Sequence, residues 1–505
     1  MLEPISETFY PPRPGDDSQG PESPSHWSRI ADITVFGIWL MVVGIVLQRH
    51  EPWADESQAW LLARDLDLKA IWFHELKYEG SPGLWHTILW IAQHWFGAPY
   101  AAMGPIGAAC AAAGVAFILW KAPFPRPLTY LLVFSYVLFY QYAVVARSYN
   151  LLPLALFAAA YSYRDRAHPA RMTVALLVLA FVSLHGSLLA VALGLCYLLE
   201  AIKEWSALSE TTRTRYPFCV VTLLFAFLFL FIILKPTPDV AAFAPNPTGA
   251  LRATEPLLLR LDAVVTFAFF DHWIASSLFL LLASGWCLGR AKLLPFILPV
   301  LLMLIMYVAL GGRPHHHGTV FLAAVAGVWI AWPDKREVNS FSGSARAGMH
   351  VMLAVLACLF SLNVWDAVVA MRNDYLYPYS GSPDAANFIR TVAADRSSIF
   401  GYTYGMSAVQ AYFDRNILAN IPTTYFHEGL PLYGATMYLG DLRAAAPEYV
   451  IVFSNDGQTT FSTADPLLRP MGYSLVHVSP GYVFYKRTAF DTASYYIWRR
   501  TSPQR

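Results

Sequence analysis

The chain has 505 residues; 56% are hydrophobic, 14% are charged and the formal net charge is +1. Soluble proteins carry about 25% charged residues, so this composition indicates a polytopic membrane protein. The small net charge gives no electrostatic basis for binding nucleic acid, which we exclude as a partner. The cysteines all lie in apolar segments without a CxxC pair, which argues against a disulfide framework or a cysteine metal site. They are Cys110, Cys196, Cys219, Cys287 and Cys358.

Residues 1–28 are polar and rich in proline, and we predict that they form a disordered cytoplasmic tail. This tail lacks the basic and apolar regions of a cleavable signal peptide in their usual order. The first apolar segment, residues 30–48, is therefore expected to be an uncleaved membrane anchor.

Residues 29–370 are predicted to form a helical membrane domain with about 11 spans, since about 20 apolar residues cross a bilayer. The stretch 172–201 would be about 45 Å long as one straight helix, which exceeds the bilayer thickness. We interpret it as two short segments that meet at a polar bend, His185-Gly186-Ser187; one long tilted helix is the alternative. The predicted spans are residues 30–48, 100–120, 128–146, 149–163, 172–184, 187–201, 216–234, 263–288, 292–310, 315–332 and 348–368.

The distribution of lysine and arginine predicts which loops face the cytoplasm. With the N-terminus inside, most basic loops are cytoplasmic, among them the loop with Arg164, Arg166 and Arg171. The first loop, residues 49–82, and the C-terminal region then lie outside. We expect an integral, multi-pass protein of a plasma membrane, most simply a bacterial inner membrane.

Residues 371–505 lack long apolar runs, and we predict a small soluble α/β domain outside the cytoplasm. Ser382-Pro383-Asp384 is typical of a helix start, with serine as the N-cap and proline at the first position. Glu448 to Phe453 is predicted to be a buried strand. The alternation from Tyr473 to Lys486, centred on Ser479-Pro480-Gly481, indicates a hairpin.

The adjacent carboxylates Asp55 and Glu56 follow the first predicted span directly. Carboxylates at a membrane boundary are costly unless they are solvated, paired or used. One interpretation is a catalytic site, with a general base, or with both side chains as ligands if a divalent metal takes part. The alternative is a solvated loop, or two acidic residues that stabilise the start of a helix through its dipole.

The loop that follows carries His74 and Glu79 ahead of a new apolar run. Gly80 and Pro82 favour a tight turn that returns the chain to the membrane surface. Either polar side chain is a candidate contact for a sugar hydroxyl or a metal, and a solvated loop is the alternative for each.

Arg147 interrupts two predicted spans at the outer boundary, with Tyr149 two residues later. An arginine in this position either extends to lipid headgroups or binds a phosphate through its permanently charged, forked guanidinium. We regard Arg147 as a candidate phosphate ligand and Tyr149 as a candidate substrate contact.

A second polar run, Gly311 to Gly318, joins two apolar spans and contains Arg313, His315 and His317. These side chains are candidates for phosphate binding, and an interfacial polar turn is the alternative. Consecutive histidines on a helix cannot all face one ion, which argues against a three-histidine metal site here. His185, in its predicted bend, is a candidate substrate contact or a hydrogen-bonded packing residue.

The sequence contains no Walker A loop, no GxSxG elbow, no HExxH motif and no GxGxxG after a strand. These absences argue against an ATPase, an α/β hydrolase and a zincin-type metalloprotease.

Four of these motifs together resemble the GT-C membrane glycosyltransferases. The motifs are the Asp-Glu of residues 54–60, the Gly-x-Pro return within residues 79–85, the Arg-Ser-Tyr of residues 146–149 and the late Arg/His turn of residues 311–318. The chain is most similar to the family 39-like group, which includes protein mannosyltransferases and the bacterial aminoarabinose transferase of lipid A. It departs from many relatives at two positions. Where this chain has Ser57 they have tyrosine or alanine, and where it has Gly83 they have the second proline of a Pro-Pro pair.

The resemblance implies a transferase that moves a sugar from a polyprenyl-phosphate donor to a hydroxyl of a glycan, lipid or protein acceptor outside the cytoplasm. It implies that Asp55 is the general base and that Arg147 and Arg313 hold the phosphate. The sequence identifies no cofactor, and a divalent metal with Asp55 and Glu56 as its candidate ligands is the alternative to a metal-free site. A transporter or flippase for a lipid-linked or polar substrate is the alternative function, although we find no internal repeat of the kind that transporters contain.

Overall fold

The structure is a computed structural model that describes residues 26–235, 256–310, 312, 314–392, 398–425, 439–455, 458–487 and 489–501. Arg313 and most of the predicted tail lie outside these residues. Helices dominate the described chain. They are α1 (His26–Leu47), α2 (Ala54–Asp65), α3 (Leu68–Ala70), α4 (Leu76–Glu79), α5 (Leu84–Phe96), α6 (Met103–Lys121), α7 (Arg126–Val133), α8 (Leu152–Ser162), α9 (Pro169–Val182), α10 (Leu184–Lys203), α11 (Glu210–Leu234), α12 (Leu257–Ala268), α13 (Trp273–Gly289), α14 (Leu293–Leu310), α15 (Pro314–Ala331), α16 (Lys335–Asn339), α17 (Gly343–Leu376), α18 (Ser382–Val392), α19 (Met406–Gln410), α20 (Leu439–Ala445) and α21 (Gln458–Leu468).

Five helices of the described chain are long and apolar enough to cross a membrane, which makes this a multi-pass membrane protein. They are Trp27–Leu47, Tyr100–Lys121, Leu184–Lys203, Glu210–Leu234 and Gly343–Leu376. The pair α12 and α13, bent by 81°, adds a sixth span if it crosses as one unit. The predicted number of about 11 spans is therefore not confirmed, because several apolar runs form short or broken helices.

The broken segments are stabilised by a polar side chain from another helix. The predicted span 128–146 ends its α-helix at Val133 and continues as a π-helical turn, Tyr136–Gln141. Asn363 of α17 is fully buried; its side-chain oxygen accepts the Tyr136 N–H at 2.8 Å, and its amide donates to the Phe269 carbonyl at 2.5 Å. One asparagine thus satisfies backbone groups at both breaks.

The stretch 172–201 does form two helices, as predicted. Ser183 between α9 and α10 is extended, with φ −161° and ψ 166°, and its side chain accepts the Gly186 N–H at 3.0 Å. The break therefore lies at Ser183, and His185 belongs to the first turn of α10 rather than to the bend.

The C-terminal region contains strands, as predicted. A four-stranded sheet has the order β1-β2-β6-β3, with β1 and β2 parallel and the other pairs antiparallel, and β4 and β5 form a separate pair. The predicted helix start at Ser382 and the buried strand near residue 450 are both present. The strands are β1 (Ile399–Tyr402), β2 (Tyr449–Ser454), β3 (Tyr473–Ser479), β4 (Tyr482–Tyr485), β5 (Ala489–Thr492) and β6 (Ser494–Arg500).

The predicted hairpin around Ser479-Pro480-Gly481 is wrong, because β3 pairs with β6 whereas β4 pairs with β5. The chain changes sheets at this point through a crowded crossing. The Gly481 carbonyl accepts the Ala493 N–H at 2.8 Å, and a Cβ at Gly481 would lie 2.3 Å from the Gly381 nitrogen. Alternation of side chains along a strand does not specify which partner it takes.

The turn after β4 joins the C-terminal region to the bend between α12 and α13. Lys486 is buried and donates to the carbonyls of Phe267 and Phe269. Arg487 forms an ion pair of 2.5 Å with Asp366 of α17. Helix α17 itself continues to Leu376, beyond residue 370, so one helix connects the two regions.

Candidate functional site

The first feature of the site is an ion pair between Asp55 and Arg147. Asp55 lies in the first turn of α2, and Arg147 immediately precedes the 3-10 turn Ser148–Leu151. Oδ2 of Asp55 lies 3.1 Å from Nη1 of Arg147, and the two side chains are 26% and 20% exposed. Two candidates that are 92 residues apart in the chain are thus brought together in a position that solvent or a ligand can reach.

The guanidinium of Arg147 keeps donors for a further partner. Within the described residues, its buried Nη1 has no hydrogen bond besides the ionic contact with Asp55. Burial lowers the pKa of Arg147, but the nearby acidic groups, of which Asp55 contributes most, together more than offset this effect, so the pKa is raised and the side chain stays cationic. The Tyr149 ring lies 5.5 Å from the guanidinium carbon.

Glu56 has a different environment from its neighbour. Its side chain is fully buried, and it accepts the Trp53 N–H at 3.1 Å and the Ala146 N–H at 2.5 Å. Because Ala146 precedes Arg147, the Glu56 carboxylate ties the start of α2 to the backbone that carries the arginine. This geometry holds the two members of the ion pair in register.

His50 supports Glu56 from the other side. Its Nε2 lies 3.3 Å from Glu56 and its Nδ1 lies 2.8 Å from Asp374 of α17, while Tyr140 donates to the same Asp374 oxygen at 3.0 Å. Burial lowers the pKa of His50, but the two carboxylates raise it further than burial lowers it, so the net shift is well above the usual value. An imidazolium between two buried anions compensates their charge.

Glu79 and His74 have separate positions, although one short loop contains both. Gln58 of α2 donates to Oε1 of Glu79 at 3.0 Å. Burial raises the pKa of Glu79 to about 7, and the nearby charge of Asp55 contributes to the rise. His74 lies on a π-helical turn, Ile71–Glu75, with its side chain exposed.

The remaining candidates lie in an aromatic and histidine cluster beside Tyr149. The Tyr149 hydroxyl is 2.8 Å from Nδ1 of His185, and the rings of His185 and His316 are centred 5.3 Å apart. His315 and His317 are both buried; their rings lie 6.0 Å from Trp53 and 5.8 Å from Phe267, respectively. The cluster connects the polar run at the start of α15 to Arg147 through Tyr149.

Sequence reasoning missed five residues of this region: His50, Gln58, His86, Tyr140 and Asp374. His86 follows directly after the motif that ends at Trp85, and only its tertiary environment distinguishes it from a surface histidine. For the metal question, the described residues contain no group of three or more histidine, cysteine or acidic side chains that could hold an ion.

No family model and no curated protein sequence matches the chain. Solved structures do. ArnT from Cupriavidus metallidurans bound to undecaprenyl phosphate matches with a TM-score of 0.52 and 12% identity, over 94% of this chain and 99% of that chain. The apo ArnT structure matches with a TM-score of 0.49 and 12% identity, over 94% and 100% of the two chains. The first match shows that this chain shares the fold of that ArnT structure over nearly the whole of both chains.

Proposed function

We propose that this protein is a glycosyltransferase that moves a sugar from a polyprenyl-phosphate donor to a hydroxyl acceptor. The observation that carries the proposal is the Asp55–Arg147 ion pair, in which a carboxylate and a cation with spare donors lie 3.1 Å apart. The fold supports it, because the similar ArnT structure contains bound undecaprenyl phosphate. A lipid-linked donor also suits a site on the side of the membrane where nucleotide sugars are absent.

In the proposed reaction the acceptor hydroxyl oxygen attacks the anomeric carbon of the sugar. The bond from that carbon to the phosphate oxygen breaks, and the polyprenyl phosphate leaves with the electron pair. Asp55 accepts the hydroxyl proton as general base. Arg147 binds the phosphate and stabilises its increasing negative charge, which is most effective in a site that excludes water.

Most of the other candidates receive roles by position. His315 and His317 are assigned to the donor phosphate, since the polar run at the start of α15 reaches Arg147 through the histidine cluster. His185, Tyr149 and Glu79 are assigned to the sugar or the acceptor. Arg313, which lies outside the described residues, and His74, which is exposed on a separate turn, keep their assignments to the phosphate and to the sugar or acceptor from the sequence alone. Glu56 is assigned to holding the backbone around the ion pair, rather than to the chemical step.

The test is a transfer assay with the purified full chain in lipid nanodiscs. Undecaprenyl phosphates that carry a hexose, a pentose or an amino sugar serve as donors, and release of undecaprenyl phosphate is measured. Wild-type protein should consume at least one donor. Asp55→Asn should lower kcat by about 10²- to 10⁴-fold, the usual contribution of a positioned general base.

Asp65→Asn is the matched control, because Asp65 lies at the other end of α2 and pairs with its neighbour Arg64 at 2.6 Å. It should retain wild-type kcat. Full activity of Asp55→Asn would overturn the role of Asp55. Movement of labelled lipid between leaflets, without cleavage of the sugar–phosphate bond, would instead show the transporter or flippase.

A further inference from the structure

His86 is a buried histidine whose ring nitrogens have no hydrogen-bond partner among the described residues. The residue lies in the first turn of α5 and is 3% exposed. Buried polar groups in proteins are almost always hydrogen-bonded, and one that is not requires an explanation. A ligand that supplies the missing partner explains why the chain keeps a polar ring in this position.

Glu79 lies opposite the ring. Nε2 of His86 and Oε2 of Glu79 are 4.0 Å apart, which is too far for a direct hydrogen bond. This separation matches two hydrogen bonds of about 2.8 Å to one hydroxyl oxygen, which reaches the buried Nε2 only when the side chains around it move. The other Glu79 oxygen is held by Gln58 at 3.0 Å, so the carboxyl group is fixed in orientation.

The protonation states of the two groups suit a neutral, hydroxyl-bearing ligand. Burial lowers the pKa of His86 to about 4, so at neutral pH the ring has one N–H donor and one acceptor nitrogen. A neutral imidazole beside a carboxyl group can both donate to and accept from a hydroxyl. The same pair offers no cation for a phosphate.

This pair lies beside the proposed reaction centre. The charges of Asp55 and Arg147 both act on Glu79. Trp85, next to His86, packs in the same apolar cluster as Ala146, which precedes Arg147. A group bound between His86 and Glu79 would therefore lie close to the ion pair.

We propose that His86 and Glu79 form a subsite that binds one hydroxyl of a sugar, and that His86 thereby determines specificity. This inference rests on the proposed function in one respect, which is that the bound sugar belongs to the donor or to the acceptor. The shared chemistry is a polyhydroxylated ring, and kinetics can distinguish the two sources.

The kinetic test compares His86→Phe with wild type on the donor and the acceptor that are used best, and on monodeoxy analogues of each. The variant should raise KM about tenfold for either the donor or the acceptor, and the affected substrate identifies the source. For the analogue that lacks the bound hydroxyl, the KM of His86→Phe should equal that of wild type, because neither the variant nor wild type can then bind that hydroxyl. A purely structural histidine would show no such dependence on a single hydroxyl.

A stability test does not depend on transfer. His86→Phe removes a buried polar ring that lacks a partner, so its thermal unfolding midpoint without ligand should equal or exceed that of wild type. The lipid-linked sugars should raise the midpoint of wild type more than that of the variant, whereas undecaprenyl phosphate without a sugar should affect both equally. His94→Phe is the matched control, since His94 is exposed on the same helix.

The outcomes separate this inference from the proposed function. If wild type transfers no sugar but the sugar-dependent difference in midpoint persists, the subsite stands and the reaction is wrong. If transfer occurs but His86→Phe keeps wild-type KM for both the donor and the acceptor and wild-type discrimination among the deoxy analogues of each, or lowers the unliganded midpoint by several degrees, the subsite is wrong. An unchanged His94→Phe confirms that the effect belongs to His86.

Discussion

Two groups of charged residues lie near opposite ends of helix α10 and use their charges differently. The α10 residues beside the two groups are His185 and Glu200, which lie about 22 Å apart along the helix axis. At the Glu200 end, Arg166 and Lys292 both pair with the same carboxylate, at 2.5 and 2.6 Å, and Arg166 also donates to the Tyr163 carbonyl. At the His185 end, Arg147 pairs with Asp55 and keeps donors available.

The two groups show how a structural ion pair differs from a functional one in this molecule. A carboxylate shared by two cations connects α10 to neighbouring loops and offers little to a ligand. Among the described residues both arginines have a buried nitrogen without a hydrogen bond, Nη1 of Arg147 and Nε of Arg166, so exposure is what distinguishes the two groups. The side chains of Asp55 and Arg147 are 26% and 20% exposed, whereas those of Glu200 and Arg166 are 15% and 9% exposed. The comparison therefore predicts that loss of charge reduces activity at the His185 end of α10, where Arg147 lies, and reduces stability at the Glu200 end, where Arg166 lies.

The largest expected effect comes from replacing the two arginines. Arg147→Gln should lower kcat/KM by about 10²- to 10³-fold, the usual effect of losing one donor to a developing anion, with little change in thermal stability. Arg147→Lys should not restore activity, because an ammonium lacks the forked geometry. The measurements are donor-dependent transfer rates and thermal unfolding in nanodiscs.

Arg166→Gln is the matched variant at the other end. It should keep kcat/KM within about twofold and lose about 2 kcal/mol of stability, less than a broken isolated pair, because Lys292 still neutralises Glu200. If the two variants gave the reverse pattern, the functional assignment of the Asp55–Arg147 pair would be wrong.

A second prediction tests the division of roles between Asp55 and Glu56. Glu56→Gln should destabilise the protein by about 2–3 kcal/mol, because the carboxylate accepts two backbone N–H groups in a buried position and an amide can accept only through its oxygen. Activity should fall less than in Asp55→Asn. Thermal unfolding and kcat would be measured on the same preparations.

Glu204→Gln is a suitable control for this variant, since Glu204 is 51% exposed near the far end of α10. Loss of all transfer in Glu56→Gln at an unchanged unfolding midpoint would show that Glu56 acts in the chemical step. The backbone role assigned here would then have to be abandoned.

These two neighbours also show how far the sequence could predict the site. Adjacent acidic residues after an apolar segment predict a helix start and a candidate base, and both residues do lie in the first turn of α2. The partner of Glu56 is a backbone N–H of Ala146, which no side-chain pattern reveals. His86 was missed for a related reason, because the lack of a partner is a property of packing rather than of composition.

The fold shows the same limit on a larger scale. Apolar runs correctly predicted a helical membrane protein, and the polar break within 172–201 predicted two helices there. Hydropathy cannot show whether an apolar run continues through a break, because the groups freed at a break are satisfied from elsewhere. Asn363 does this for Tyr136 and Phe269, from a helix more than 90 residues away in the chain.

The smallest predicted effect is a dependence of stability on pH that arises from Glu79, near the Asp55–Arg147 pair. Burial raises the pKa of Glu79 to about 7 from its usual 4.5, so between these values the native state keeps a proton that the unfolded state has lost. Stability from this group is therefore full below pH 4.5, falls as pH rises toward 7 and is constant above it. The shift sets an upper limit of about 3 kcal/mol.

We expect the free energy of unfolding to change by about 1–2 kcal/mol through this group, because the Glu79 side chain is 21% exposed and solvent screens its charge. Glu79→Gln should remove this component, so the stability difference between wild type and variant should change between pH 5 and pH 8 in favour of the variant. Glu51, whose pKa burial also raises to about 7, contributes to the same window in both proteins and cancels in the difference. A difference that stays constant across this range would mean that Glu79 titrates normally, and that the carboxyl group facing His86 is ionised throughout.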